Sequence, residues 1–78
     1  MITTVAHLRH GVPAVVLQIK GGVGIRRRLN HLGVHPGDRI EVIRNGYLGG
    51  PVLIQVHGAK VGIGGGMAER IEVEAEEP

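Results

Sequence analysis

Five histidines are the side chains best equipped for chemistry in this 78-residue chain. His31 and His35 stand four apart. At that spacing two imidazoles on one face of a continuous helix can share a divalent transition metal such as iron or zinc. Gly33 and Pro36 interrupt the spacing, because glycine ends helices and the residue before a proline is pushed out of helical conformation. His7 and His10 lie three apart near the N-terminus, and His57 closes an apolar run alone. Asp38, Glu41 and Glu69 are carboxylates that could join a metal, yet they form no recognisable cluster with the histidines. A metal centre needs further ligands and supporting hydrogen bonds. The histidines therefore read first as surface or half-buried side chains, with His31 and His35 as the candidate metal pair. No bound cofactor is required.

Serine and cysteine are absent, and Thr3 and Thr4 lie at the very start of the chain. No nucleophile–base pair can be assembled, so the sequence points away from an enzyme. The glycine-rich stretch "GGVGIRRRLNHLG", Gly21 to Gly33, raises the question of phosphate binding. A P-loop would continue with Lys-Ser or Lys-Thr, and a dinucleotide fingerprint would place a third glycine where Arg27 stands. The glycines are better read as a turn that launches a helix, and the arginines as its wet side. Arg26, Arg27 and Arg28 and a sequence pI of about 9.7 suit nucleic acid. Single-strand binding, however, leans on stacking aromatics, and Tyr47 is the one aromatic available.

These residues must be positioned by a small aliphatic domain. Phe, Trp and Cys are missing, so the core is Val, Ile, Leu and Ala and no disulfide is possible. Thr4 reads as the N-cap of a single turn, "VAHLRH", ended by Gly11. In "AVVLQIK", Val15, Leu17 and Ile19 alternate with Val16, Gln18 and Lys20, the period of a strand with one buried face. Ile25, Leu29 and Leu32 fall at i, i+4 and i+7 and predict a short helix that Gly33 ends. "RIEVIR" follows with Ile40 and Val42 inward, then the loop "NGYLGGP". "VLIQVHG" points Val52, Ile54 and Val56 inward, and "AKVGIG" uses Val61 and Ile63. "GGMAER" is a turn or a single helical turn over Met67 to Arg70. "IEVEA" buries Ile71, Val73 and Ala75. Five short strands and one short α-helix after the first strand predict a mainly β fold, a small barrel. Residues 1–78 read as a single domain with residues 74–78 as a frayed tail. No apolar run is long enough to cross a bilayer, and the N-terminus lacks the pattern of a signal peptide. A cytoplasmic protein without direct membrane insertion is expected.

"RRRLNHLGVHPGDRIEVI" followed by "GGPVLIQVHGAKVGIGGGMAERIEV" resembles the FeoA family of ferrous iron transport proteins, and "LRHGVPAVVLQIKGG" resembles its opening element. The combination is Arg-Leu-x-x-Leu-Gly-x-x-Pro-Gly, then Gly-Pro-Val, then Ala-x-x-Ile-x-Val, in that order. The resemblance covers roughly Thr4 to Val73. It implies an SH3-like barrel and a small cytosolic partner of FeoB, the GTPase-coupled permease for Fe²⁺. Three functions then stand side by side: an accessory docking module for the permease, a direct metal-binding protein, and a KOW-like RNA-binding barrel suggested by "PGDRIEVIRNG". For the first, Arg26 and Arg27 lie off the apolar stripe of the helix, and Tyr47 and Leu48 are bulky groups in a glycine-flanked loop. Arginine with an exposed aromatic is the mixture that anchors interfaces.

Overall fold

A computed structural model of the chain describes residues 1–46 and 50–76. Six strands form one antiparallel sheet: β1 (Ile2–Thr4), β2 (Pro13–Ile19), β3 (Arg39–Arg44), β4 (Val52–Val56), β5 (Ala59–Ile63) and β6 (Ile71–Ala75). Their spatial order is β1-β6-β2-β3-β4-β5. Helix α1 (Val23–His31) joins β2 to β3, and the four-residue α2 (Gly65–Ala68) joins β5 to β6. The expected five strands and one helix thus become six strands and two helices. The added strand, β1, is three residues long, too short to display alternation, and is held by pairing with β6.

Among the described residues, the buried ones form one cluster of Val, Leu, Ile and Ala. Leu29, Ile40, Ile54, Ile63 and Ile71 are its largest fully buried members. Inward positions on β3, β4 and β6 follow the alternation of the sequence. Strand β2 does not. Ala14 and Val16 are buried, Val15 is half-buried, Leu17 is 40% exposed, and Ile19 is buried again. The cause lies in the pairing with β6, where Val16 opposes Val73 and Gln18 opposes Glu72. Two steps on β2 meet one on β6, so Leu17 is the extra residue of a β-bulge and the phase of the strand flips there. A second bulge sits on β3 between Val42 and Arg44. Both bend the sheet, which is how six short strands wrap round a narrow core.

The expected 25/29/32 stripe of α1 is only partly realised. Leu29 is fully buried and Ile25 is half-buried, but Leu32 is 39% exposed. The helix ends at His31. Gly33 takes a φ of +90°, its N–H donates to the Asn30 carbonyl at 3.0 Å, and the Val34 N–H donates to the Leu29 carbonyl at 2.9 Å. This is a Schellman closure, in which the residue after the glycine packs back on the last turn. Val34 is fully buried with Leu29 and takes the place expected of Leu32.

At the N-terminus the expected turn is a 3-10 turn over Val5–His7, and Thr4 makes no side-chain cap. Its hydroxyl lies 3.1 Å from His7 Nδ1 instead. The tail expected to fray from residue 74 is ordered further. Glu74 and Ala75 belong to β6, and the Glu76 N–H donates to the Pro13 carbonyl at 2.9 Å.

Two substitutions separate packing from backbone conformation. Leu29→Ala should cost about 2–5 kcal/mol in denaturant unfolding, the range for emptying a well-packed aliphatic site. Gly33→Ala should cost about 1–2 kcal/mol although nothing lies within 4 Å of an added Cβ, because the left-handed backbone alone penalises a side chain. A midpoint unchanged for Leu29→Ala would remove α1 from the core.

Candidate partner-binding site

Helix α1 turns Leu29 into the core and sets its three arginines on the remaining faces. Helical geometry puts Arg27 roughly opposite Leu29, with Arg26 and Arg28 on the two flanks. Arg26 borders a cleft of about 360 Å³ with Gln18, Ile19, Asn30 and Pro36. Arg28 borders another of about 300 Å³ with Gly24, Ile25 and Met67. All three arginines are exposed, and none forms an ion pair among the described residues. The glutamates of β6 and Glu76 are engaged elsewhere. Glu72 pairs with Lys20 at 3.3 Å, Glu76 pairs with Arg39 at 2.8 Å, and Glu74 receives the N-terminal ammonium. The Gln18 amide donates to Glu72 at 2.9 Å. That bond and the Lys20 contacts hold the Glu72 carboxyl below the usual glutamate range. The acidic face of β6 is thereby neutralised locally, and α1 is left as an uncompensated basic surface. Tyr47 and Leu48, the other expected partner-binding residues, lie outside the described residues.

The histidines are arranged differently from the expectation. His31 closes α1, while His35 sits beyond the Gly33 break on the turn that leads into β3. The structure does not join the two. It joins His35 to Asp38 and His57. The Asp38 carboxylate accepts from the His35 backbone N–H at 2.7 Å and lies 3.2 Å from His35 Nδ1. Its other oxygen lies 3.0 Å from His57 Nε2. Among the described residues no group of three His, Cys, Asp or Glu is arranged to hold a metal ion. His57 occupies the two-residue turn between β4 and β5, where Val56 opposes Ala59. Its φ is +52° and that of Gly58 is +79°, the positive pair of a type I′ turn. Histidine enters this region more readily than most side chains, and Asp38 then fixes the ring. The signal in the sequence was the His57-Gly58 pair between two apolar runs. Its partner Asp38, nineteen positions earlier, leaves no local trace.

Burial of Asp38 pushes its carboxyl up. Hydrogen bonds from the His35 backbone and side chain and from His57, with the His57 charge, outweigh it and bring the carboxyl below the usual aspartate value.

The FeoA domain family matches residues 3–75. The chain belongs to the FeoA family. A Methanocaldococcus jannaschii protein assigned as Fe(2+) transport protein A is 38% identical over 69 residues, covering 88% of this chain and 82% of its own. The crystal structure of an iron uptake regulatory protein, FeoA, superposes with a TM-score of 0.86 at 32% identity, over 96% of this chain and 97% of that one. The Stenotrophomonas maltophilia FeoA, crystallised with zinc and described as a prokaryotic SH3 domain protein, superposes with a TM-score of 0.76 at 26% identity, over 92% and 89% of the two chains. The expected SH3-like barrel of the FeoA family is therefore the fold of this chain.

The Asp38 link predicts an acid-sensitive component of stability. A carboxyl whose folded pKa lies below its unfolded value contributes stability fully present above about pH 4 and lost as pH falls through the folded pKa. Asp38→Asn should flatten the fall of Tm on acidification below about pH 4, and Asp38→Ala should cost about 1–3 kcal/mol near neutrality through its lost hydrogen bonds. Parallel Tm–pH curves for wild type and Asp38→Asn would show that the link contributes nothing.

Proposed function

We propose that this chain serves ferrous iron uptake as an accessory docking module, binding the cytosolic domain of a FeoB-type permease and modulating it through the exposed side of α1. The observation that carries this function is the row Arg26, Arg27 and Arg28. It is exposed and without ion pairs among the described residues, whereas Lys20, Arg39 and the N-terminal ammonium each meet a glutamate. Basic groups held on a rigid helix steer an acidic partner and fix its orientation. Family membership supplies the context of iron transport, and the S. maltophilia relative is described as a candidate ferrous iron transport activating factor. Iron enters this function as the permease's cargo. Among the described residues no helix is long and apolar enough to cross a membrane, in keeping with a cytoplasmic protein that docks on a permease.

The contact should be moderate in affinity and weaken as salt rises, because exposed charges are screened over about 10 Å at 0.1 M ionic strength. In a binding assay with the permease's cytosolic domain, Arg26→Ala/Arg27→Ala should lower affinity about tenfold, or ~1.4 kcal/mol, with Tm unchanged. Equal binding by wild type and the double variant would place the contact on another face. A salt-resistant, submicromolar complex with an RNA oligomer would favour the KOW-like alternative.

A further inference from the structure

The flank of α1 that faces α2 holds a groove of about 300 Å³ lined by Gly24, Ile25, Arg28 and Met67. Its walls are apolar. Ile25 and Met67 are half-buried and pack against the core, and Val23, next to Gly24 in the chain, leaves 60% of its surface exposed. Gly24 is the second residue of α1, and nothing lies within 4 Å of the point a Cβ would occupy. Gly24 lines the groove without a side chain. Arg28 stands on one side. Arg70, outside the lining, runs over Gly21 next to Ile25. Its Cδ and Nη1 are 3.5 and 3.6 Å from the point where a Gly21 Cβ would lie, beside Ile25 Cδ1 at 3.1 Å. Arg28 and Arg70 are exposed and form no ion pair among the described residues.

We propose that this groove receives an apolar side chain from an acidic segment of the partner protein, with the flanking carboxylates taken by Arg28 and Arg70. The proposal rests on the docking function above and adds to it a second surface and the chemistry of the segment that binds there. Charge complementarity selects the acidic flanks. The apolar walls select a Leu- or Ile-like residue between them, since carboxylates alone would leave Ile25 and Met67 exposed. A concave groove sized for one side chain suits a peptide better than the plane of a bilayer. The chain's formal net charge of +2 also falls short of the basic clusters that hold proteins on anionic lipid.

The test is titration of the ¹⁵N-labelled full chain with a blocked Glu-Glu-Leu-Glu-Glu peptide. Controls are Glu-Glu-Ser-Glu-Glu, Lys-Lys-Leu-Lys-Lys and phosphatidylglycerol vesicles. The leucine-containing acidic peptide should shift the resonances of Gly24, Ile25 and Met67, and bind at least about tenfold more tightly than either control peptide. Gly24→Leu fills the groove while favouring the helix, and Arg28→Glu reverses its charge. Each should weaken the peptide about tenfold or more and leave the rest of the spectrum in place. Equal binding of the serine and leucine peptides, shifts centred away from α1 and α2, or binding to vesicles without peptide would each overturn the proposal. The peptide needs no permease. Failure here therefore leaves docking through Arg26 and Arg27 standing, and failure of the permease assay is read separately.

Discussion

A core without a single Phe or Trp has to be closed by curvature. Valine, isoleucine, leucine and alanine offer little volume each, so the sheet must curl tightly to bring its inner faces into contact at the density of a protein interior. The two β-bulges, with Leu17 on β2 and Ile43 on β3 as their extra residues, supply the bend. Helix α1 supplies one further large side chain, Leu29, and the Schellman turn adds Val34 beside it. The rest of the molecule follows from this closure. Because α1 gives only one strip to the core, its other faces are free to carry arginines. Because β2 bulges, its last residues return Ile19 to the core and leave Gln18 facing outward to Glu72.

Charge is sorted by the same geometry. The glutamates of β6 alternate outward from the apolar set, and two of them meet cations close at hand, Lys20 and the N-terminal ammonium. Exposed pairs of this kind add little stability, about 0–1 kcal/mol each, but they cancel the acidic face. No such cancellation reaches Arg26, Arg27 and Arg28. A chain with a small net charge thus presents one locally basic helix. The docking function proposed above rests on that localisation.

The Asp38 carboxylate has a different role. It ties the turn before β3 to the hairpin turn between β4 and β5 through His35 and His57. Together with the pairing of Gly37 and Asp38 to Val16 at 2.8 Å, it fixes the loop that follows α1. The chain entering and leaving α1 is therefore anchored on both sides, by Lys20 donating to the Arg70 carbonyl at 2.7 Å and by the Gly37–Asp38 segment. A short helix needs such anchoring, since a helix of nine residues is marginal when isolated.

Some of this was legible in the sequence, because it depends on local periodicity and turn chemistry. The inward sets of β3, β4 and β6, the helix with Leu29 at its centre, the stop at Gly33 and the ordered FeoA motifs needed only neighbouring residues to be read. The remainder depended on residues far apart in the chain. The phase flip in β2 is imposed by its register against β6. The strand status of Ile2–Thr4 comes from that same strand's far edge. Val34 replaced Leu32 because hydrogen bonds back to Leu29 and Asn30 turn the chain inward two residues later than the helical stripe implies. His35 was drawn from His31 to Asp38 for a similar reason: the break at Gly33 destroys the i, i+4 geometry, and closure of the barrel brings His57 to the same carboxylate. The alternation of side chains is a property of each strand alone, whereas register, bulges and cross-chain pairs exist only once strands meet.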